Sequence, residues 1–286
     1  VTIPSYITNI EKAVPLYTFS MGLGWLLGSP VGGRIKDSLG MTWVFLTLFF
    51  VSLGLFVLSI LFYRYETRKE EIGEADQKFL NLSKFAPQGI QLYPSLRSYV
   101  DAWRLIKTNK PLLIASSFSF LEFMTFGLGA SILPLYFSKV GISSFFIGIL
   151  MSTRTAASTA IRLTCERFVE WFSKMQLLVL GTALAGGSMI AITFFQSFHL
   201  LVLLSAAWGL FSGFYLPITF KIIGDSTNEK DRGIAMGIRG TLGTFGAALG
   251  TWIFSGVADS FSLETSLLFA GIVTIVGSFL LGLLRE

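Results

Sequence analysis

Residues 41–63, MTWVFLTLFFVSLGLFVLSILFY, contain no charged side chain and are apolar almost throughout. A helix needs about 20 apolar residues to cross the roughly 30 Å of hydrocarbon in a bilayer, and this stretch meets that length. Its apolar residues are continuous, whereas a membrane-spanning β-strand alternates apolar and polar positions. The stretch therefore predicts a transmembrane helix, and it makes a membrane protein the first hypothesis for the whole chain.

The composition of the 286-residue chain supports this hypothesis. Apolar residues make up 52% of the chain and charged residues only 14%, with a mean hydropathy of +0.68. Soluble domains carry about 25% charged residues, so soluble enzymes, nucleases and secreted disulfide scaffolds are excluded. The net charge of +5 does not indicate nucleic-acid binding, because the basic residues lie between apolar blocks and not on one face.

Metal and nucleotide chemistry find little support. The chain has one cysteine, Cys165, and one histidine, His199, so an internal disulfide and a cysteine or histidine metal cluster are excluded. The sequence contains no nucleotide-binding P-loop motif. We therefore expect no metal and no cofactor, and we expect that the protein is not an enzyme.

Seven further runs resemble residues 41–63 in length. Together they predict an all-α polytopic protein with eight transmembrane helices. The predicted spans are 13–33, 41–63, 111–138, 142–163, 175–198, 200–220, 233–258 and 265–284.

The loop charges predict the orientation of these spans. Lys and Arg are concentrated in the loops 64–110, 164–174 and 221–232, and basic loops are retained in the cytoplasm. The loops 34–40 and 259–264 then lie outside, although the first of them contains two basic residues that oppose the rule. We expect a multi-pass protein of the cell (plasma) membrane with its long loop in the cytoplasm.

The long loop separates two predicted spans from six. This spacing predicts two membrane regions, 1–63 and 111–286, joined by a linker at 64–110. The end of the linker is amphipathic, which predicts a helix that lies on the inner membrane surface. Its apolar face is formed by Leu96, Tyr99, Val100, Trp103 and Ile106.

An internal repeat relates the first predicted span to the seventh. Residues 24–38, GWLLGSPVGGRIKDS, align without a gap onto 246–260, GAALGTWIFSGVADS. The alignment matches Gly24, Gly28, Asp37 and Ser38 with Gly246, Gly250, Asp259 and Ser260. Transporters are commonly built from repeated halves, so the repeat favours transport.

Several stretches resemble the major facilitator superfamily of secondary transporters. Residues 133–150, LPLYFSKVGISSFFIGIL, are similar to the junction of the seventh and eighth helices in that family, and Asp225 with Arg232 and Gly233 resembles the motif before its eleventh helix. The family fold has twelve helices in two six-helix halves, joined by a cytoplasmic loop. The resemblance implies helices five to twelve here: two from an incomplete N-terminal half and a complete C-terminal half. Helices one to four are missing, through truncation or because they are encoded separately.

The first glycine row resembles a fifth-helix motif that is associated with exporters, Gly-x-x-x-Gly-Pro-x-x-Gly-Gly. The matching residues are Gly24, Gly28, Gly32 and Gly33, while Pro30 stands one place later than the family proline. Small residues in rows let helices approach closely. We expect these rows, including Gly246 and Gly250, to pack the two halves of the protein together.

A second resemblance concerns gating at the cytoplasmic side. In the 162–174 stretch Arg162, Glu170 and Lys174 fit the family's inside gating motif, whereas Glu166 stands in place of a glycine. Arg239, near the cytoplasmic end of its span, could pair with Glu166 or Glu170. The preferred interpretation of Arg239 is a side chain that extends to the membrane surface.

Glu122 and Arg154 are the charged residues nearest the middle of the membrane. Each lies about 16–18 Å from the face at which its helix enters, at 1.5 Å per residue. An ionisable group at that depth costs at least ~2.5–3.5 kcal/mol, so it usually faces a cavity or a partner. We expect Glu122 to bind protons or substrate, with Arg154 setting its proton affinity or binding an anion. The alternative is a structural ion pair.

Apolar and aromatic residues are candidates for the wall of a central cavity. Phe126 follows Glu122 by one helical turn, and three further residues are implied by their family position: Trp208, Tyr215 and Pro217.

These features predict a secondary active transporter of a small organic solute that works by alternating access with proton coupling. Its expected partners are a small-molecule substrate, protons and membrane lipid, and no nucleic acid. Export of a drug or metabolite is favoured, and uptake of a sugar or organic acid is the alternative. A non-transporting sensor or scaffold subunit is the competing class. An intramembrane hydrolase is disfavoured, because no Ser/His/Asp set lies within the spans.

Overall fold

The computed structural model describes residues 10–72 and 96–284, with the side chains of residues 22–64 and 100–284. Every regular element in these ranges is an α-helix, which confirms the predicted all-α fold. The ten helices are α1 (Ile10–Leu39), α2 (Met41–Ile72), α3 (Leu96–Thr108), α4 (Lys110–Lys139), α5 (Ser144–Trp171), α6 (Lys174–Ile192), α7 (Phe198–Gly213), α8 (Tyr215–Ser226), α9 (Glu229–Ser260) and α10 (Leu263–Leu283).

Six stretches of the described residues are long and apolar enough to cross a membrane, which confirms a polytopic membrane protein. They are α2 up to Arg64, α4, α6, α7 together with α8, α9 and α10. The predicted eight spans also include α1 and α5, which are less apolar. Arg154, Arg162 and Glu166 lie within α5, and α1 is rich in glycine, serine and proline. That α1 and α5 also cross the membrane stays a prediction.

Helix α5 is enclosed by protein on two sides. On one side α7 lies so close that a Cβ on Gly213 would come within 2.9 Å of the Ser158 carbonyl oxygen. On the other side a Cβ on Gly148 would lie 2.6 Å from the Cα of Pro30 in α1. Charged groups are costly next to lipid. Enclosure between α1 and α7 therefore accommodates a helix that is too polar to face lipid all round.

The end of α1 caps the start of α5. The Asp37 carboxylate accepts hydrogen bonds from the backbone N–H groups of Phe145, at 2.7 Å, and Ser144, at 3.1 Å. The bond from Phe145 holds the pKa of the Asp37 carboxyl below its ordinary value. One turn earlier, a Cβ on Gly33 would lie 2.6 Å from the Ser144 carbonyl carbon. A carboxylate satisfies the free N–H groups of a helix start and interacts favourably with the helix dipole.

Helices α4 and α9 pack closely through glycines on both sides. A Cβ on Gly250 would lie 2.5 Å from the carbonyl oxygen of Met124, and a Cβ on Gly127 would lie 2.7 Å from that of Ala247. Gly246 lies equally close to the backbone of α4. Such small-residue contacts bring two helix backbones together without a hydrophobic driving force between them.

One of the two glycine rows is used differently from the prediction, which placed both rows between the halves of the protein. Gly246 and Gly250 instead pack on α4, within the same bundle. In the first stretch Gly33 and Pro30 contact α5, as described above. The remaining glycines of that row would have nothing within 4 Å of an added Cβ: Gly24, Gly28 and Gly32.

The largest apolar core lies within the bundle of α4–α10, toward the turn between α4 and α5. It draws residues from α4, α5, α6, α7, α9 and α10. Its fully buried members include Leu128, Phe137, Leu150, Met189, Leu201, Phe254 and Leu267. This shared core makes the bundle one packed body around the charged side chains described below.

The predicted span 200–220 is interrupted in the structure. Phe214 separates α7 from α8, and Pro217 follows three residues later. Proline has no N–H to donate to the carbonyl of Gly213, four residues back, and its ring disfavours a straight helix there. The break lies just before Tyr215, the first residue of α8, which enters the site.

Ion pairs tie the bundle together at both ends. Lys139, at the end of α4, pairs with Glu264 at the start of α10 with an N–O distance of 2.8 Å. The hydrogen bond from Lys139 lowers the pKa of the Glu264 carboxyl. At the opposite end Lys174 of α6 pairs with Asp225 of α8. Lys174 and Asp225 belong to two separate stretches that each resemble a family motif, and the second pair joins these stretches.

Helix α3 precedes the bundle and contacts it on one side. Leu105 packs with Leu112 at the start of α4, while Trp103 remains 63% exposed. Residues 73–95 of the predicted linker lie outside the described residues, as do the side chains of Leu96 and Tyr99. The position of α3 on the membrane surface and the division into two halves with a linker stay predictions.

Candidate functional site

Four helices of the bundle bring four charged side chains and one tyrosine together in its interior. Glu122 comes from α4, Arg154 and Arg162 from α5, Tyr215 from α8 and Arg239 from α9. We refer to these five residues as the charged cluster. They come from positions up to 117 residues apart in sequence, so the folding of the bundle creates the cluster.

Glu122 is the single carboxylate of this cluster. Its side chain is half-buried, and its Oε2 atom is fully buried without a hydrogen-bond partner among the described residues. It interacts electrostatically with both Arg154 and Arg162. Neither arginine lies within 4.0 Å of the carboxylate, the distance that defines a salt bridge. The structural ion pair considered from the sequence is therefore not formed in this structure.

Arg154 is held by an aromatic ring. Its guanidinium carbon lies 4.5 Å from the centre of the Trp208 ring, in a cation–π contact. Gly129 leaves room for this pair, since an added Cβ would lie 3.2 Å from both the Arg154 Cζ and the Trp208 ring. Trp208, a cavity-wall candidate from the sequence, thus contacts the guanidinium directly.

Arg162 follows Arg154 by eight residues on α5. This spacing separates the two positions by about 12 Å along the helix axis, at 1.5 Å per residue. The Nε atom of Arg162 is buried and has no hydrogen-bond partner among the described residues. Arg162 interacts electrostatically with Glu122 and with Tyr215. The sequence assigned it to gating, whereas the structure places it in the same cluster as Glu122.

Arg239 differs most from its prediction. Only 8% of the residue is exposed, so the predicted extension to the membrane surface is wrong. Its Nη2 donates to the Tyr215 hydroxyl and its Nε donates to Thr219 Oγ1, at 2.5 and 3.4 Å. Its guanidinium carbon also lies 4.5 Å from the centre of the Phe220 ring. Helix α8 thus supplies a polar and aromatic enclosure that satisfies the charge in place.

The gating partners expected for Arg239 lie elsewhere. Glu166 and Glu170 are exposed near the end of α5 and form no ion pair with it. Lys174, beyond them, pairs with Asp225. At the end of the bundle where α5 finishes, the described residues therefore form one inter-helix ion pair, with different partners from those predicted.

Aromatic side chains lie next to the charged cluster. Phe126 is 44% exposed, and its ring lies 6.1 Å from that of Trp25 in α1. Phe123 contacts both Phe126 and Tyr215, with ring centres 5.9 and 6.3 Å apart. Pro217 lies on α8 and is partly buried. The ring contacts form a continuous aromatic row from Tyr215 of the charged cluster to Trp25 of α1.

Sequence reasoning missed Thr219 and Phe220. Thr219 lies one helical turn after Tyr215, so its position on the same helix face was available from the sequence. Phe220 had no such signal, because its contact with Arg239 depends on the packing of α8 against α9.

The charged cluster offers hydrogen-bond donors and positive charge and has a single carboxylate. It contains three arginines, each with five N–H donors, and one tyrosine hydroxyl. Within the described residues no three His, Cys, Asp or Glu side chains lie close enough to hold a metal ion. The cluster is therefore equipped to bind charged or polar groups.

Comparisons with known proteins agree with this architecture. The profile of the Major Facilitator Superfamily matches residues 8–184 and 118–286, which together cover almost the whole chain. An uncharacterized MFS-type transporter of Methanocaldococcus jannaschii is 22% identical over 174 residues, which are 61% of this chain and 45% of that relative. The chain thus spans less than half the length of this relative. The family match covers both the helix pair and the bundle, and so the chain belongs to the Major Facilitator Superfamily.

Proposed function

We propose that the protein is a secondary active transporter, which moves a small organic solute across the cell membrane by alternating access. The observation that carries the proposal is the charged cluster, which is built from four helices inside an apolar bundle. Maintaining such a cluster in a membrane costs several kcal/mol, and intramembrane ionisable groups usually mark a substrate or ion pathway. Membership of the superfamily supports the same conclusion.

The depth of the cluster fits a solute pathway. Glu122 lies 12 residues after Lys110, the first residue of α4. At 1.5 Å per residue this distance is about 18 Å, which is a little more than half of the roughly 30 Å hydrocarbon thickness of a bilayer. Substrate sites of secondary transporters lie near the midplane, where they can open to either side.

Two kinds of contact support movement of rigid bodies. The ion pairs Lys139–Glu264 and Lys174–Asp225 join helices within the bundle, one at each end. The Asp37 cap joins α1 to α5 at one end of the helices. In the proposed cycle the bundle moves as one unit, and the contact around Asp37 opens and closes one mouth of the cleft.

Glu122 is the proposed site of proton coupling. It is the single carboxylate of the charged cluster, and no described side chain forms a salt bridge or hydrogen bond with its Oε2 atom. A carboxyl without a fixed partner can take up and release a proton as the cleft opens to alternate sides.

Two directions of transport are open. Export is favoured by the fifth-helix glycine pattern at Gly24, Gly28, Gly32 and Gly33. Uptake of an organic acid is the alternative, and the excess of arginine in the charged cluster supports it. In both cases we propose a location in the plasma membrane with the 64–110 loop in the cytoplasm, where basic loops are retained.

Flux in proteoliposomes tests the proposal. The full-length protein would be assayed with a proton gradient and three probes: glucose, succinate and ethidium. We expect proton-driven flux of at least one probe. Glu122→Gln should abolish that flux while preserving exchange of the same probe across the membrane. Glu170→Gln, an exposed glutamate at the end of α5, is the matched control and should behave as the native protein.

Two results would contradict the proposal in different ways. Absence of flux for every probe would favour a sensor or scaffold subunit. Normal proton-driven flux in Glu122→Gln would leave transport standing and remove the proposed coupling role of Glu122.

A further inference from the structure

The charged cluster has an uncompensated positive charge. It contains three arginines and one glutamate, and no carboxylate of the described residues forms a salt bridge with these arginines. Guanidinium groups remain protonated in proteins. Two excess positive charges in the middle of a membrane protein are costly unless a counter-charge joins them. An anion bound at the cluster would therefore offset this positive charge.

The three arginines are not equivalent. Arg239 donates hydrogen bonds to Tyr215 and Thr219 and lies against the Phe220 ring, so the structure satisfies it. Arg154 donates no hydrogen bond to a described residue and is held by its contact with Trp208. Arg162 likewise has a buried Nε without a partner. The free donors thus belong to Arg154 and Arg162.

Glu122 cannot compensate both of these arginines. Its carboxylate interacts electrostatically with each, yet it lies more than 4.0 Å from both guanidinium groups. One negative charge shared between two positive charges leaves a net charge of +1 before Arg239 is counted. An incoming anion would therefore gain most beside the unpartnered guanidinium donors of Arg154 and Arg162.

We propose that the transported substrate carries an anionic group, a carboxylate or a phosphate, which Arg154 and Arg162 bind beside Trp208. This inference rests on the proposed transport function and deepens it. The planar guanidinium fork matches carboxylate and phosphate oxygens in two parallel hydrogen bonds, and such charge-assisted bonds are the strong ones. Phe123 and Phe126 offer an apolar surface to the rest of the molecule.

The spacing of Arg154 and Arg162 along α5 bears on the size of the anion that they could bind. The two arginine positions are separated by about 12 Å along α5, but both side chains interact with the same carboxylate. Both guanidinium groups therefore lie within electrostatic range of Glu122. We expect a small monoanion to bind at either arginine and a dicarboxylate to engage both.

Binding to the purified full-length protein tests the proposal without any variant. Matched pairs of probes differ only in charge: succinate with succinamide, and benzoate with benzamide, with inorganic phosphate as a third anion. We expect at least one anion to bind, as measured by isothermal titration calorimetry, and its amide to bind at least tenfold more weakly. Binding of the amides alone, or of no anion in the set, would overturn the proposal.

Variants then locate the site. Arg154→Gln and Arg162→Gln should each weaken binding of the anion at least tenfold, and Arg154→Lys should retain part of it because the charge remains. Arg167→Gln, an exposed arginine on the same helix, is the matched control and should bind as the native protein. Native affinity in both glutamine variants would overturn the assignment. The melting temperature of each variant shows that lost binding does not arise from unfolding.

Flux separates this inference from the function on which it rests. Anion binding that depends on Arg154, without flux in proteoliposomes, would support the anion site and contradict the transport function. Flux of glucose or ethidium that is unchanged in Arg154→Gln, together with no anion binding, would leave transport and remove the anion site.

Discussion

The two copies of the internal repeat both fold as α-helices, one in α1 and one in α9, but they pack against their neighbours through opposite faces. In α1, Pro30, Gly33 and Asp37 contact α5, while Gly24 and Gly28 face open space. In α9 the situation is reversed. The equivalents of those two glycines pack on α4, while the equivalents of the α5-contacting residues are turned away from it and line a shallow cavity: Trp252, Ser255 and Asp259.

The difference shows what a repeat in sequence can and cannot predict. Asp37 caps a helix, whereas Asp259 is exposed and makes no hydrogen bond or ion pair with a described residue. A shared pattern of small residues makes close packing possible on either face. Which face is used depends on the helix that comes to lie beside it, and that helix is distant in the sequence.

The largest effect is expected at the glycines that are packed in one copy and open in the other. Gly250→Leu would place side-chain atoms where the Met124 carbonyl lies, so α4 and α9 would have to separate. Overpacking against backbone costs about 3 kcal/mol or more. An added Cβ at the aligned Gly28 would have nothing within 4 Å, so Gly28→Leu should leave stability unchanged. Thermal unfolding of the full-length protein in detergent measures both.

Equal melting temperatures for Gly250→Leu and Gly28→Leu would break the comparison. They would mean that α9 does not pack on α4 through this row.

The second effect concerns the face that α1 uses. Gly33→Val would press on the Ser144 backbone and weaken the contact of α1 with α5, at a cost of about 1–3 kcal/mol. The aligned change Ser255→Val lies beside an open cavity and should cost little. Thermal unfolding again measures both, and a larger loss in Ser255→Val would contradict the assignment of faces.

The existence of the helices could be predicted from the sequence, because it depends on local apolarity. Residues 41–63 lie within α2, and the predicted spans 111–138 and 265–284 match α4 and α10 to within a few residues. Pro217 was a sequence signal for the break at Phe214, but it lies within a continuous apolar run, and the run was therefore predicted as one span. These features need no information about the partner of a helix.

The composition of the candidate site could be predicted only in part. Glu122 and Arg154 could be chosen from their depth, and the structure places them within electrostatic range of each other. The burial of Arg239 could not, since an arginine near a helix end usually extends to the surface. Its enclosure depends on Tyr215 and Phe220 of α8, and the sequence carries no signal for the contact between α8 and α9.

The third prediction uses the pH dependence of the helix cap. Because the pKa of Asp37 is lowered in the folded protein, its carboxylate contributes stability that is present above its unfolded pKa, near about 3.9, and is lost as the pH falls through the folded value. Asp37→Asn should therefore lower the melting temperature near neutral pH and have less effect as the pH falls below about 4.

Asp259→Asn is the matched control for Asp37→Asn, because its side chain is exposed and makes no hydrogen bond or ion pair with a described residue. It should unfold as the native protein does at every pH. A pH-independent loss in Asp37→Asn would point to a packing role in place of the cap.

The smallest structural effect is expected at the last aligned pair, Ser38 and Ser260, which are both exposed. In a Cys165→Ser background, Ser38→Cys and Ser260→Cys should leave the melting temperature unchanged, since neither residue is packed. Both cysteines should react with a membrane-impermeant maleimide added to intact cells, because the loops 34–40 and 259–264 are predicted to lie outside. Ser83→Cys, in the basic 64–110 loop, should react only after the cells are opened, because basic loops are retained in the cytoplasm. Labelling of Ser38→Cys from the same side as Ser83→Cys would reverse the position of α1 relative to α9, and the two copies of the repeat could then not end at the same face.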